Sequence, residues 1–317
     1  MTTPPACYVG IDVAKATLAV ATATHILCEV ANTPAGHKKL IDRLRKLSVL
    51  GVVVEATGIY GHDLMAALMA AGFRVAMVQP GCVRHFAQSQ KIHAKTDAID
   101  AKVIARFAES RSLRFLEKTP ESIAQLRALV DRRDQLIAMR VSEENHLEAN
   151  RNELVRKEIK AAITRLARQE AAYNKRIAAL MQENDDLNRK RKLLEDHPGV
   201  GLQTAAVLMA HLPELGAVNR QQIAALVGLA PYNHDSGTMR ARRSIYGGRC
   251  RLRKALYLAA ITAVKWDESL KAYYVALRTN GKPAKVALIA CARKLIVRLN
   301  SILAATHKEP QEAMLAQ

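Results

Sequence analysis

The sequence predicts an α/β domain at the N-terminus, a long α-helical segment in the middle and a mainly α-helical domain at the C-terminus. From residue 7 to about 112, short apolar runs typical of strands alternate with amphipathic helices. Between Pro120 and Pro198 the chain contains neither proline nor glycine, and beyond Pro198 glycine-containing turns separate apolar helices. We therefore expect three domains, at residues 1–115, 116–196 and 197–317.

The elements of the first zone follow the order of an RNase H-like domain. The runs C-Y-V-G-I-D-V, T-L-A-V-A-T-A-T and H-I-L-C-E-V-A have no helical spacers, which predicts an antiparallel meander. A helix over 34–48, a strand ending on Glu55, a helix over 61–72, a strand over 73–78 and a helix starting near Thr96 complete the zone. The order β-β-β-α-β-α-β-α places the first and fourth strands side by side.

The middle zone carries a heptad pattern. Alternating four- and three-residue steps pass through Ile159, Ile163, Leu166, Glu170, Tyr173, Ile177, Leu180, Asn184, Leu187, Arg191 and Leu194. The polar members Glu170, Asn184 and Arg191 can fix register and partner number at a cost in stability. Two arrangements fit the pattern: a coiled coil between chains, which we favour, and a helical hairpin within one chain.

Composition narrows the choice of partner. The 48 Lys and Arg residues exceed 29 acids, giving a formal net charge of +19, which favours nucleic acid as partner. A membrane surface is less suitable, because no basic amphipathic helix carries bulky apolar anchors and no apolar run is long enough to span a bilayer. The five scattered cysteines form no C-x-x-C, which indicates a reducing compartment. We expect a cytoplasmic, nucleoid-associated protein.

The stretch K-T-D-A-I-D puts two carboxylates on one face of the predicted last helix of the first zone. Asp97 and Asp100 suit either a helix N-terminus, where acids favour the dipole, or a divalent metal. In an RNase H-like sheet, Asp12 on the first strand and Glu55 on the fourth would converge on the same point. Four carboxylates together favour two Mg²⁺ ions about 3.5–4 Å apart, since hard cations prefer oxygen ligands.

The third zone has two features that favour contact with phosphates. The turn H-P-G-V-G precedes an apolar helix, like the hairpin of helix-hairpin-helix DNA-binding units, and Gly199 and Gly201 would leave backbone N–H groups for a phosphate. Any tight turn before a helix would show the same sequence pattern, whether or not it binds a phosphate. An arginine-rich segment follows, and arginine suits bidentate phosphate contacts. The predicted contacts are Arg240, Arg242, Arg243, Arg249, Arg251, Arg253 and Lys254, with Lys91 and Lys95 in the first zone.

The motifs G-I-D-V, V-V-E-A-T-G and K-T-D-A-I-D resemble the DEDD domain of a family of bacterial insertion-sequence transposases. The resemblance continues through P-G-V-G, L-V-G-L-A-P with a following S-G, and I-Y-G-G-R-C-R-L-R-K-A-L. It implies a RuvC-like domain, a coiled coil and a C-terminal transposase domain. It further implies that a structured noncoding guide RNA pairs with donor and target DNA. Asp12, Glu55, Asp97 and Asp100 match the metal ligands of that family, and Ser236 matches its nucleophile.

The residues themselves leave several assignments open. A serine beside glycine is often only part of a turn, and Tyr232 and Tyr246 are rival nucleophiles. A metal-only nuclease acting on branched DNA and a non-catalytic nucleic-acid scaffold are the alternative functions. Converging carboxylates favour an enzyme over a scaffold, because a scaffold would gain nothing from placing several carboxylates close to the phosphates that it binds. Exchange of two DNAs predicts a dimer or tetramer joined through the coiled coil.

Overall fold

The computed structural model describes residues 6–315 except 56–57, 59, 93–95 and 233–243, and for residues 306–315 it describes the backbone alone. The chain divides into two compact units, Met1–Lys118 and Thr119–Gln317. The division lies three residues beyond the first predicted domain boundary.

The N-terminal unit is built on a five-stranded mixed sheet. The strands β1 (Cys7–Val13), β2 (Thr17–Thr22) and β3 (Ile26–Ala31) form the predicted antiparallel meander. The strands β4 (Val49–Glu55) and β5 (Val75–Val78) extend the sheet in parallel with β1. The strand order is β3-β2-β1-β4-β5. The α/β architecture and the pairing of the first strand with the fourth are therefore confirmed.

Helices cover both faces of this sheet. On one face, α1 (Pro34–Leu44) and α2 (His62–Ala70) bury Leu40 and Leu68 against Ile11 of β1. On the other face, α3 (Pro80–Ser89) and α4 (Asp97–Glu109) enclose a second core around Val53 and Ile104. Because both faces are covered, β1 and β4 consist of nearly continuous apolar residues up to the acids at their ends.

Helix α3 was not predicted from the sequence. Its opening Pro80-Gly81 is a typical turn pair, yet proline is also favoured in the first turn of a helix. Val83, Phe86 and Ala87 give the segment an apolar face at helical spacing, and they pack in the second core. The ring of Phe86 meets that of Phe107 of α4 edge to face, with 5.6 Å between centroids.

The middle zone folds back on itself as a helical hairpin. Helix α5 (Glu121–Ala149) and helix α6 (Glu153–Glu183) are joined by three residues and pack side by side. Arg140 Nε of α5 donates to Glu170 Oε2 of α6 at 3.1 Å, so this polar heptad position faces its own chain. The intrachain hairpin, the arrangement we favoured less, is therefore present.

The heptad pattern passes through a break in the helix. Asn184 has extended backbone angles (φ −98°, ψ 117°) between α6 and a separate helix α7 (Asp185–Glu195). Its side-chain oxygen accepts a hydrogen bond from the Leu187 amide at 3.0 Å. The heptad pattern over 159–194 therefore does not correspond to one continuous helix. The sequence Asn-Asp-Asp is a helix start, with an N-cap and two first-turn acids.

The remaining helices of the C-terminal unit share one core with the hairpin. They are α8 (Leu202–His211), α9 (Arg220–Leu226), α10 (Cys250–Trp266), α11 (Glu268–Thr279) and α12 (Ala284–Leu315), with two short strands, β6 (Pro231–Tyr232) and β7 (Ser244–Ile245). The core runs from Leu126 and Ile177 of the hairpin through Leu208 and Leu256 to Leu299. The boundary expected at residue 196 therefore does not separate two compact units. None of the helices within the described ranges is long and apolar enough to cross a membrane.

Candidate active site

Asp12 and Glu55 stand at the same end of two neighbouring strands. In the parallel pair of β1 and β4, Ile11 is the partner of Val54, so Asp12 and Glu55 are the next residues along the two strands. Both side chains are half-buried. The register therefore makes these two acids neighbours, as expected from the sequence.

Both acids point to the face of the sheet that α4 covers. Successive side chains of a strand alternate between its faces, so residues two apart share a face. Gly10, two residues before Asp12, lies directly beneath α4 at Ala101. Val53, two residues before Glu55, packs in the core that α4 shares.

The other two acids lie at the N-terminus of α4. Thr96 is the N-cap, as expected, and its hydroxyl oxygen accepts a hydrogen bond from the Ile99 amide at 3.3 Å. Asp97 and Asp100 both lie in the first turn. Asp100 is half-buried, whereas Asp97 is exposed.

Glu55 and Asp100 line one cavity of about 450 Å³ between the sheet, α3 and α4. Asp12 and Asp97 are not among its lining residues. The structure thus brings two of the four acids together and places Asp12 beside Glu55 by register. In the described part of the chain, no group of three or more His, Cys, Asp or Glu side chains is arranged to hold a metal ion.

The donor chemistry of this cavity nevertheless fits Mg²⁺. Carboxylate oxygens are the ligands that this cation prefers. Proteins commonly hold Mg²⁺ through one or two carboxylates, while water and substrate phosphates supply the other ligands. Two carboxylates lining one cavity match this mode of binding, and a closed cage of protein ligands is not required.

A side-chain clamp that sequence reasoning missed joins the loops after Asp12 and Glu55. The Asn32 amide nitrogen donates to the backbone carbonyls of Ala14 and Tyr60, both at 3.0 Å. Its oxygen lies 2.8 Å from Nε2 of the buried His37. Because this oxygen can only accept, Nε2 is the donor. Burial lowers the pKa of His37, which keeps the ring neutral. Nothing local in the sequence signals the clamp, since its partners come from three separate segments.

Strands β6 and β7 frame the segment that contains the predicted nucleophile. They pair antiparallel, with Pro231 opposite Ile245 and Tyr232 opposite Ser244. Ser236 lies between them, outside the described residues, as do the predicted phosphate contacts Arg240, Arg242 and Arg243. The rival nucleophiles Tyr232 and Tyr246 flank the same segment and are exposed.

Two glycines from separate motifs fix the backbone next to β6 and β7. A Cβ atom on Gly228, in L-V-G-L-A-P, would overlap the carbonyl oxygen of Gly247, and one on Gly248 would overlap the backbone of Gly228. Both glycines have positive φ, 69° and 66°, where other residues are strained. Arg253 donates to the carbonyl of Gly247 at 2.7 Å and so closes the contact.

Arg249 also has a structural role that the sequence did not reveal. Its guanidinium forms two hydrogen bonds with the buried carboxylate of Glu214, at 2.6 and 2.7 Å. It also donates to the carbonyl of His211 at 3.0 Å. We expected Arg249 and Arg253 to contact phosphate, but both are engaged within their own chain.

Arg251 is likewise paired inside the C-terminal unit. It forms ion pairs with Asp131 and, at 2.9 Å, with Asp134, both on α5. Its Nη1 also lies 2.6 Å from Nε2 of His211. Of the predicted basic contacts in the described stretch of this segment, Lys254 alone is exposed. The sequence shows a run of guanidinium groups but does not show which distant carboxylates reach them.

The glycines of the H-P-G-V-G turn differ in their surroundings. A Cβ atom on Gly199 (φ 88°) would lie 2.7 Å from the amide nitrogen of Ala263, so this glycine allows the turn to touch α10. Close packing therefore explains Gly199 without a phosphate. Gly201 caps α8 and faces open space. In the N-terminal unit, Lys91 is exposed with φ 55°, and Lys95 lies outside the described residues.

Two family profiles identify the class of protein. A DEDD transposase profile of the IS110 group matches residues 9–153, and a profile described as "Transposase IS116/IS110/IS902 family" matches residues 191–275. The chain is therefore a transposase by class. It belongs to the IS110 family of insertion-sequence transposases, which confirms the resemblance carried by its motifs.

Relatives span nearly the whole chain. The pilin gene-inverting protein of Moraxella lacunata is 27% identical over 307 residues, which cover 91% of this chain and 93% of the relative. An uncharacterized 43.6 kDa protein of insertion element IS110 from Streptomyces coelicolor is 26% identical over 392 residues, covering 93% of each chain. Among solved structures, Thermus thermophilus RuvC in complex with a Holliday junction substrate matches 35% of this chain and 100% of its own length. That match has 17% identity and a TM-score of 0.27, which is too low to add to the assignment.

Proposed function

We propose that this transposase cuts and rejoins DNA strands with Ser236 as the nucleophile and with Mg²⁺ ions, two in number, held by Asp12, Glu55, Asp97 and Asp100. The observation that carries the metal part is the cavity shared by Glu55 and Asp100, with Asp12 beside Glu55 in the strand register. The family resemblance supports the assignment of Ser236. In the sequence, Ser236 lies between β6 and β7, which pair with each other.

The proposed reaction conserves the energy of the phosphodiester bond. The Ser236 hydroxyl gives up its proton and attacks phosphorus, an Oγ–P bond forms, and a deoxyribose oxygen leaves and takes up a proton. The hydroxyl of an exchanged strand then attacks the phosphoserine, the Oγ–P bond breaks and the serine regains its proton. Bound Mg²⁺ would supply charge stabilisation for the alkoxide and the phosphate oxygens. Arg240, Arg242 and Arg243 would neutralise further negative charge.

The proposed partners are DNA and a structured noncoding guide RNA. A net charge of +19 supports a polyanionic partner. The family resemblance supports an RNA that pairs with donor and target DNA, with Lys91, Lys95, Lys254 and the three arginines of the 233–243 segment among the contacts. Gene inversion and transposition, which relatives are named for, both require exchange of DNA strands.

We propose that the chain assembles as a dimer or tetramer through the α5–α6 hairpin. No residue from 137 to 165 is buried within its own chain, although the structure describes this whole range. Met139 and Leu154, in this distal part, are 47% and 70% exposed. Exposed apolar side chains on a projecting helix pair are typical of an association surface.

The test is detection of a covalent protein–DNA adduct on DNA that carries the element ends, with the copurifying RNA present. Ser236→Ala should bind nucleic acid but form no adduct, and Asp100→Asn should lose the adduct as well. Ser244→Ala, an exposed serine of β7, is the matched control and should form the adduct normally.

The outcomes separate the competing mechanisms. Adduct formation by Ser236→Ala, with loss in Tyr246→Phe, would assign the nucleophile to tyrosine. Cleavage without any adduct would favour the metal-only nuclease. An adduct formed by Asp100→Asn in the presence of a chelator would rule out the metal-assisted site. Undiminished strand exchange after RNase treatment would remove the RNA from the reaction.

A further inference from the structure

The cavity at the acids is also lined by an arginine, to which neither the motifs nor the family profiles assign a role. Glu55 and Asp100 line it together with Arg84 and Gln88 of α3. Arg84 and Gln88 are four residues apart, so they lie one above the other on the same face of α3. Pro80, in the first turn of this helix, also lines the cavity. The positive end of the helix dipole is therefore close to the same space.

Helix α3 is held rigidly enough to position these two side chains. Phe86 meets Phe107 of α4 edge to face, and Val83 is buried in the core beneath the helix. Arg84 and Gln88 are exposed to the solvent of the cavity. Arg84 forms no salt bridge with any other described residue, so its charge is not committed to holding the fold.

Carboxylates and a guanidinium that line one cavity suit a phosphodiester that reaches the acids. A cation on the carboxylates can meet one phosphate oxygen, while a planar guanidinium binds phosphate through two parallel N–H groups. The amide of Gln88 adds a neutral donor one turn along the helix.

We propose that Arg84, with Gln88, binds a phosphate of the DNA strand that enters the cavity next to Glu55 and Asp100. This inference rests on the proposed function, because it takes DNA to be the substrate at these acids. It assigns Arg84 to substrate binding and makes α3 part of the nucleic-acid contact surface of the N-terminal unit.

The test compares Arg84→Ala, Arg84→Lys and Gln88→Ala in the full-length chain carrying Ser236→Ala. Because that chain should form no adduct with DNA, the binding buffer can contain Mg²⁺. The probe is a fluorescein-labelled DNA duplex of arbitrary sequence, titrated at several salt concentrations. Arg84→Ala should bind the probe about ten- to a hundredfold more weakly, as expected for loss of hydrogen bonds to a charged group. Its slope of log affinity against log salt should decrease by about 0.9, the value of one phosphate contact on a duplex.

Two variants make the result specific. Arg84→Lys keeps the charge but lacks the planar fork, so it should restore the salt slope and only part of the affinity. Arg43→Ala removes an exposed arginine from α1, on the opposite face of the sheet, and should leave both quantities unchanged. Gln88→Ala should weaken binding with no change of slope, because its amide carries no charge.

The failure of this inference is distinguishable from that of the proposed function. If Arg84→Ala bound DNA with the affinity and salt slope of its Ser236→Ala parent, the role of Arg84 would be overturned. The proposed function would still stand if Asp100→Asn abolished cleavage. Retained cleavage in Asp100→Asn would overturn the function of the acids, whatever Arg84 does. A fall in thermal stability of Arg84→Ala with unchanged DNA binding would show that Arg84 serves the fold alone.

Discussion

A methyl group at Gly10 would overlap the carbonyl oxygen of Ala101 and lie 2.5 Å from the amide nitrogen of Ala105. The backbone of α4 therefore rests directly on β1. Gly10 lies two residues before Asp12, and Ala101 follows Asp100. This contact sets the separation between the strand acid and the helix acid.

Gly10→Ala should therefore damage both the fold and the site. The added methyl group cannot be accommodated without moving α4, and overpacking of this kind costs about 1–3 kcal/mol. Urea unfolding would measure the stability, and adduct formation the activity. Gly81→Ala is the control for stability alone, because nothing lies within 4 Å of the added atom but Gly81 lines the cavity at the acids. That variant should be as stable as the wild type or up to about 1 kcal/mol more stable. Equal unfolding free energies of the two variants would contradict the contact.

Asn32→Ala should loosen the loops that follow Asp12 and Glu55. It removes both hydrogen bonds to the Ala14 and Tyr60 carbonyls, which we expect to cost about 1–3 kcal/mol. Strand cleavage should slow as well. Asn32→Asp keeps an acceptor for His37 but cannot donate to the two carbonyls, so it should cleave as slowly as Asn32→Ala. Wild-type cleavage by Asn32→Asp would show that satisfying His37 is the whole role of the residue.

The basic residues near α10 should separate into structural and DNA-binding groups. Arg249→Ala would remove the two hydrogen bonds that the guanidinium donates to the buried Glu214 carboxylate, at a cost of about 1–3 kcal/mol. Lys254→Ala removes an exposed charge and should change the stability by less than about 0.5 kcal/mol. Its DNA affinity should fall instead. Thermal unfolding and a DNA-binding titration on both variants would check this. A stable Arg249→Ala with weakened DNA binding would reverse the assignment.

The stability of the C-terminal unit should fall between pH 6.5 and pH 4 because of His211. Burial, and next the neighbouring Arg251, lower the pKa of His211 to about 4, whereas the ordinary value is 6.5. Between these values the unfolded chain binds a proton that the folded chain does not, so the free energy of unfolding decreases as the pH falls. The full loss is about 3 kcal/mol, reached near the folded pKa, with no further change below it.

Chemical unfolding at pH 7 and pH 4.5 would measure this contribution against His211→Gln. The variant should lose less stability than the wild type over that interval. His85→Gln, on an exposed position of α3, should behave as the wild type does. Identical pH dependence in all three chains would show that His211 does not titrate as described.

The distal part of the α5–α6 hairpin should control assembly. Met139→Glu and Leu154→Glu change exposed side chains, so each should leave the unfolding free energy nearly unchanged while lowering the oligomer fraction in light scattering. Ile177 is unsuitable for this purpose, because it is fully buried in its own chain. An unaltered oligomer in the double variant would place the association surface elsewhere.

The elements that could be predicted from the sequence are those specified by local patterns. An apolar run with Asp12 near its end and another ending on Glu55 predicted β1 and β4, and Thr96 with its following acids predicted the start of α4. The break at Asn184 was missed because the heptad period continues through it, although the helix-start signal was present. Helix α3 was missed because its Pro-Gly opening resembles a turn.

The long-range polar contacts could not be predicted in this way. Arg249 and Arg251 are separated from Glu214 and Asp131 by many residues, and the packing of α8 against both α10 and α5 brings them together. The clamp at Asn32 depends on the meander and on the loop after β4 at once. A single sequence gives the chemical type of such residues but not their partners.

The pairing of Tyr232 with Ser244 has a consequence for how this family can diversify. Both ends of the intervening segment leave from hydrogen-bonded neighbours, above a base fixed by Gly228 and Gly248. The entropic cost of closing a loop rises only slowly with its length. Changes of length between these two residues that keep Ser236 and its neighbouring arginines are therefore compatible with an unchanged helical core.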